Sequence, residues 1–73
     1  MTRGWVHTVH RDGTWINEIE EEGELSRHPT KDEAVSAGRE AARSRQTEHV
    51  IHHLDGTFAE RNSYGNDPFP PPG

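Results

Sequence analysis

The chain has no cysteine and few large apolar residues. Leucine, isoleucine, valine and phenylalanine together number eleven of 73 residues, about 15%, where values under ~20% are typical of disordered chains. Without cysteine, neither a disulfide framework nor a thiolate metal site can compensate for a small core. One domain of this length must therefore concentrate its apolar residues, with Trp5 and Trp15 offering the largest areas, or gain stability as a homodimer.

Long apolar runs and a basic balance are also lacking. No run approaches the ~18 residues of a membrane span, and the N-terminus lacks the apolar core of a signal peptide. We therefore expect a cytoplasmic protein with no membrane contact. The net charge is −5, and residues 14–28 carry five glutamates against one arginine. Nucleic-acid binding usually shows a basic face, so this distribution argues against nucleic acid as a partner.

Two copies of one pattern, His-x-Asp-Gly-Thr-aromatic, begin at His10 and at His53. Asp-Gly between alternating apolar and polar residues predicts a β-hairpin, because glycine tolerates the positive φ of such a turn. A short third strand over Glu24–His28 is polar, which is typical of a sheet edge. The predicted hairpin strands cover residues 4–10, 14–20, 48–54 and 57–62.

The register of the first hairpin decides which residues share a face. A two-residue turn would place Trp5 opposite Glu20 and mix polar with apolar residues on both faces. A three-residue loop, with Gly13 in the left-handed conformation and a G1 bulge, would gather the apolar residues on one face. These are Trp5, Val9, Trp15 and Ile19. We therefore predict the bulged register, with both tryptophans against the helix.

One helix is predicted between the hairpins. Thr30 and Glu33 form a capping box, and the helix should run from Lys31 to Ser44 or Arg45. Small residues at helical spacing form its packed face. They are Ala34, Ala37, Gly38, Ala41 and Ala42.

The order of elements predicts the fold class. A right-handed crossover through the helix would set the fourth strand parallel to the first, which gives the strand order 3-2-1-4-5. We predict an α+β fold of order β-β-β-α-β-β, with a five-stranded, mainly antiparallel sheet and the helix packed on one face. Residues 1–67 should form the domain, with Tyr64 covering one end of the core. Residues 68–73 should form a disordered, proline-rich tail.

Six histidines are an unusual number for this length. His7, His49 and His52, with a carboxylate such as Glu18, are the candidate metal ligands. The histidines cluster as His7-x-x-His10 and His49-x-x-His52-His53. Spacing by three along a strand sends two side chains to opposite faces, so neither cluster can chelate a metal alone. We therefore predict no metal and no cofactor, and partly exposed histidines. A metal site and a pH-responsive patch are the alternatives. Crowding of these histidines would weaken the fold in acid, and pairing with glutamates would strengthen it.

These ordered features resemble a small bacterial and archaeal family catalogued as domain of unknown function 2188. Three segments carry the resemblance: Thr30-Lys31-Asp32-Glu33-Ala34, Val50-Ile51-His52-His53-Leu54-Asp55-Gly56 and Asn62-Ser63-Tyr64-Gly65-Asn66-Asp67-Pro68. The resemblance covers nearly the whole chain and implies a compact α+β domain. It implies no particular activity.

A second resemblance covers residues 13–42. Three strands followed by a helix look like the plant AP2-type DNA-binding domain, whose sheet enters the major groove. The segments that carry this resemblance are Gly13-Thr14-Trp15 and Pro29-Thr30-Lys31-Asp32-Glu33-Ala34. Such a sheet presents arginine and tryptophan to DNA. The corresponding strands here present Glu18, Glu20 and Glu24 instead, so the resemblance implies a similar layout without the DNA-binding surface.

No catalytic signature is present: there is no nucleophile elbow, phosphate-binding glycine loop or cysteine nucleophile. We therefore predict a protein that is not an enzyme. The first function class is a protein-interaction or accessory module, as a homodimer or with an unknown protein partner, using one sheet face or the end at Tyr64. The alternative is a nucleic-acid-associated accessory protein. Its basic surface would consist of Arg39, Arg43, Arg45 and Arg61.

Overall fold

A computed structural model describes residues 4–65, which form one helix and a five-stranded sheet. The strands are β1 (Val6–Arg11), β2 (Thr14–Ile19), β3 (Gly23–His28), β4 (Glu48–His52) and β5 (Phe58–Ser63), and helix α1 (Lys31–Arg45) joins β3 to β4. The strand order is β3-β2-β1-β4-β5, with β1 and β4 parallel and the other pairs antiparallel. The predicted fold class and strand order are confirmed. The predicted domain end at residue 67 and the tail 68–73 lie outside the described residues.

The turn between β1 and β2 has two residues, so the predicted three-residue loop is wrong. Asp12 and Gly13 both have positive φ, at 54° and 77°. His10 lies opposite Trp15, in the unbulged register. Two consecutive left-handed residues give the primed turn whose twist matches that of the flanking strands, and aspartate tolerates this conformation. The conformational preference of Asp12 and Gly13 therefore decides the register, although the bulged register would place more apolar residues on one face.

The two tryptophans consequently lie on opposite faces of the sheet. Asn17 donates a hydrogen bond to the backbone oxygen of Ala34 in α1, so Trp15, two residues away, is on the helix side. Trp5 precedes Val6, whose side chain packs with the helix, and therefore lies on the opposite side. The prediction that both tryptophans contact the helix is wrong for Trp5.

We call the side of the sheet that faces away from α1 the open face. Ile16 and Val50 are on this face, and both are nearly inaccessible to solvent. The helix side holds the other buried apolar residues of the sheet. They are Val6, Trp15, Ile19 and Ile51. The sheet therefore buries apolar area on both faces, although the helix covers one.

Helix α1 begins and packs as its sequence predicts. The Thr30 hydroxyl accepts a hydrogen bond from the Glu33 amide at 3.2 Å, which satisfies one of the free donors of the first turn. Within the predicted stripe, Ala34, Gly38 and Ala42 are buried, and the other two alanines are partly buried. Tyr64 packs on the core, as predicted. No described helix has the length and apolar character that crossing a bilayer requires.

Candidate functional site

Three fully buried polar side chains lie between the sheet and the middle of the helix. Thr8, Asn17 and His49 each expose no surface. The Thr8 hydroxyl is 2.6 Å from Asn17 Oδ1 and 2.7 Å from His49 Nε2. A Cβ added to Gly38 would lie within 2.9 Å of polar atoms from all three residues. Glycine at this position therefore lets the helix lie directly on the polar group.

The partners of this polar group fix its hydrogens. Asn17 Nδ2 donates to the Ala34 oxygen at 2.9 Å, so Asn17 Oδ1 accepts from Thr8. The Thr8 hydroxyl has then used its one proton, and His49 must donate from Nε2. Burial lowers the pKa of His49 to about 4, with a further lowering from the charge of Arg39, so the ring is neutral near pH 7 and carries its one proton on Nε2.

A chain of hydrogen bonds crosses the open face, and we call it the relay. His7 Nε2 meets the Glu20 carboxylate, and His7 Nδ1 is 3.0 Å from His52 Nε2. His52 Nδ1 is 3.2 Å from the backbone oxygen of Gly56. The two rings are inclined by only 26°. The relay thus links the end of β2 to the β4–β5 turn through the two central strands.

The candidate metal ligands do not converge. His49 lies on the helix side, whereas His7 and His52 lie on the open face. Glu18 pairs with Arg11 at 2.6 Å. Among residues 4–65, no group of three or more histidine, aspartate or glutamate side chains could hold a metal ion. Alternation along β1 and β4 separates the histidines in this way.

The β4–β5 turn carries exposed apolar residues that sequence reasoning did not single out. Leu54 is 66% exposed and Phe58 is 61% exposed. Trp15, Lys31 and Leu54 line a surface cavity of about 570 Å³ together with residues 53 and 55. We call residues 53–58 the hairpin end. The sequence predicts that the fourth strand continues to Leu54, whereas β4 ends at His52, so Leu54 lies in the turn.

The predicted basic surface is divided between the two sides of the sheet. Arg39, Arg43 and Arg45 belong to α1, whereas Arg61 lies on the open face opposite Val50, 5.5 Å from the centre of the Trp5 ring. Most of these arginines have acidic partners: Arg43 with Glu40, Arg45 with Glu22 and Arg61 with Glu48. Tyr64, the other predicted contact residue, is partly buried against the core.

The architecture defines a small α+β domain with one helix on a mixed five-stranded sheet. The chain belongs to the DUF2188 family, described as an uncharacterised protein conserved in bacteria, whose model matches residues 6–64. The match spans every strand, the helix and Tyr64, and it confirms the first resemblance. No curated protein matches the chain, and no solved structure does.

Proposed function

We propose that this domain is a non-enzymatic protein-interaction module that docks through the hairpin end. The observation that carries the proposal is the exposure of Leu54 and Phe58. Leucine, isoleucine, valine and phenylalanine together number eleven residues, so the core can spare few of them. Two of them placed outside the core, on one turn, favour a contact surface over a packing role.

The turn holds these side chains outward in a fixed arrangement. Asp55 Oδ1 accepts hydrogen bonds from the Thr57 amide at 3.0 Å and from its hydroxyl at 2.7 Å. These bonds lower the pKa of the Asp55 carboxyl, so the carboxylate form is stabilised. The His53 amide donates to the Thr57 oxygen, and the Gly56 amide donates to the His53 oxygen. A turn that is already ordered loses less conformational entropy on binding.

The cavity beside the turn indicates the kind of partner. Its walls include the Trp15 ring and the Leu54 side chain, and the Lys31 ammonium lies 5.7 Å from the centre of the Trp15 ring. The cavity is open to solvent, and its volume can accommodate an anchoring side chain. We propose that the occupant is an apolar side chain of a partner protein, which also reaches Phe58 at the start of β5.

Photo-cross-linking tests this surface. A photo-reactive amino acid at position 54 or 58 of the full chain, irradiated in the native host, should give a discrete protein adduct. The same amino acid at position 40, on the exposed side of α1, should not. Mass spectrometry separates a heterologous partner from a second copy of the chain. Equal adducts from all three positions, or none from the hairpin end, would contradict the proposal.

Polar substitutions at the hairpin end should separate binding from folding. We expect Leu54→Ser and Phe58→Ser each to change the free energy of unfolding by within about 0.5 kcal/mol, because both side chains are exposed. In the Phe58→Ser chain, the adduct from position 54 should decrease several-fold. Urea denaturation and the cross-linking yield measure the two effects. A large loss of stability would instead show that these side chains pack in the core.

The alternative function, nucleic-acid association, has less support because three of its four arginines are paired with glutamates. We expect no micromolar or tighter binding to a generic DNA or RNA duplex near about 150 mM salt, which is close to physiological ionic strength. Fluorescence anisotropy over a salt series measures this. Tight binding that weakens steeply with salt would reverse the order of the two functions.

A further inference from the structure

The relay contains three hydrogen bonds between two imidazole rings and two terminal acceptors. Both ends, the Glu20 carboxylate and the Gly56 backbone oxygen, accept hydrogen bonds. Every bond in the relay must therefore use an N–H of His7 or His52. Three bonds need three N–H protons, and two neutral imidazoles carry two. With Glu20 ionised, the complete relay requires one additional proton.

We infer that the relay is a one-proton switch that ties His52 to the Gly56 oxygen of the hairpin end when protonated and breaks this tie when the proton leaves. The additional proton lies between His7 Nδ1 and His52 Nε2, which are 3.0 Å apart. Histidine is the side chain that changes its charge most readily between pH 5 and 8. The effect on docking rests on the proposed function, whereas the switch itself rests on the hydrogen-bond count.

The separation of the two nitrogens favours a proton over a metal ion. Metal–nitrogen bonds are about 2.0–2.1 Å long, so two nitrogens bound to one tetrahedral zinc ion are about 3.3 Å apart. His7 Nδ1 and His52 Nε2 are closer than this, at 3.0 Å, and their separation fits an N–H···N hydrogen bond. No third ligand from residues 4–65 completes a metal site.

The charges around the relay favour a positive charge within it. His7 lines a surface cavity with four glutamates from β2 and the following turn: Glu18, Glu20, Glu21 and Glu22. Across the open face, β4 and β5 contribute Glu48 and Arg61, which pair with each other. Among the four glutamates, Glu18 pairs with Arg11 on β1, and Glu22 pairs with Arg45 on α1. His49 is on the other side of the sheet and is neutral.

Loss of the proton should break the bond to Gly56 first. The bond between His7 and the Glu20 carboxylate is charge-assisted and is therefore the strongest of the three. His7 keeps its Nε2 proton for Glu20, and His52 then donates from Nε2 to His7 Nδ1. His52 Nδ1 is left with a lone pair that faces the Gly56 oxygen, and the two repel. The side-chain contact between β4 and the Gly56 oxygen is lost, whereas the backbone bonds of the turn and the bonds of Asp55 to Thr57 remain.

Nitrogen NMR of the histidine rings in the full chain tests the switch without any partner. At low pH the His7 and His52 rings together should carry three N–H protons. The third proton is then on one doubly protonated ring or shared between the two rings. At high pH His52 should be the Nε2–H tautomer, and the Thr57 amide, which shares a peptide group with the Gly56 oxygen, should shift. A His52 that keeps its Nδ1 proton throughout, with an unmoved Thr57 amide, would overturn the inference.

Variants connect the switch to the hairpin end. His7→Gln should abolish the pH-dependent shift of the Thr57 amide, whereas His53→Gln, on the same turn but outside the relay, should retain it. The adduct from position 54 in a host lysate should be several-fold stronger at pH 6 than at pH 8, and His7→Gln should remove this difference. If the NMR transition occurs but the adduct is absent at both pH values, docking fails and the switch stands. If the adduct forms equally at both, its regulation by the relay is wrong.

Discussion

Replacing Gly38 by alanine should destabilise the domain by about 3 kcal/mol, although alanine is the better helix former. The added Cβ would lie 2.6 Å from His49 Nε2, 2.7 Å from Asn17 Oδ1 and 2.9 Å from Thr8 Oγ1. Helix propensity would contribute about 1 kcal/mol in the opposite direction. Overpacking costs about 1 to 3 kcal/mol, and displacing buried hydrogen-bonded groups adds about 1 to 3 kcal/mol for each group left unsatisfied.

Urea denaturation of Gly38→Ala measures this effect, with Ser36→Ala as the matched control. Ser36 is exposed in the same helix, so its replacement should stabilise the helix slightly or leave it unchanged. A Gly38→Ala chain as stable as the wild type would show that the helix can move away from the sheet without loss. The close approach of α1 to the buried polar group would then have no energetic importance.

The domain should lose about 3 kcal/mol of stability as the pH falls from about 6.5 toward 4 because of His49. The pKa of His49 is about 4 in the folded chain and has its ordinary value near 6.5 when unfolded. Between these values the unfolded chain binds more protons, so the free energy of unfolding falls with pH. The contribution is complete above pH 6.5 and lost below the folded pKa. Of the charges that act on this ring, Arg39 favours the neutral form and Glu60 opposes it.

Thermal or urea unfolding between pH 7.5 and 4 measures this dependence. A flat profile, or a His49 ring that titrates near 6.5 in the folded chain, would show that His49 is not enclosed.

The sequence predicted the elements well because their determinants are local. The capping residues Thr30 and Glu33 mark the start of the helix, and Asp-Gly marks both turns. The register was wrong because we assumed that one face collects all large apolar residues. The sheet instead buries Ile16 and Val50 on the side that the helix does not cover. The residue pattern of one strand cannot show that both faces of the sheet are buried, because the side chains that cover Ile16 and Val50 come from other strands.

The polar features were harder to predict from the sequence. Thr8, Asn17 and His49 are distant along the chain, so no local pattern indicates that they meet in the core. Gly38 within a stripe of alanines was the available indication of a close approach. For His49, we considered crowding and glutamate pairing, whereas burial is the main cause of its lowered pKa. His7 pairs with Glu20, which is the glutamate pairing that stands in the sequence analysis as the alternative to histidine crowding.

The open face gives its surface arginines a role that charge alone does not describe. Arg27 lies opposite Ile16 and Arg61 lies opposite Val50, and both apolar side chains are nearly dry although no helix covers them. The methylene stem of an arginine can shield an apolar neighbour while its guanidinium stays in water. The ion pair of Arg61 with Glu48 joins β5 to β4 and holds the Arg61 stem across the sheet, whereas the pair of Arg27 with Glu24 runs along β3. This face therefore acts as a thin second core with a charged outer layer. Replacing Arg27 or Arg61 by a short side chain exposes apolar area as well as removing a charge.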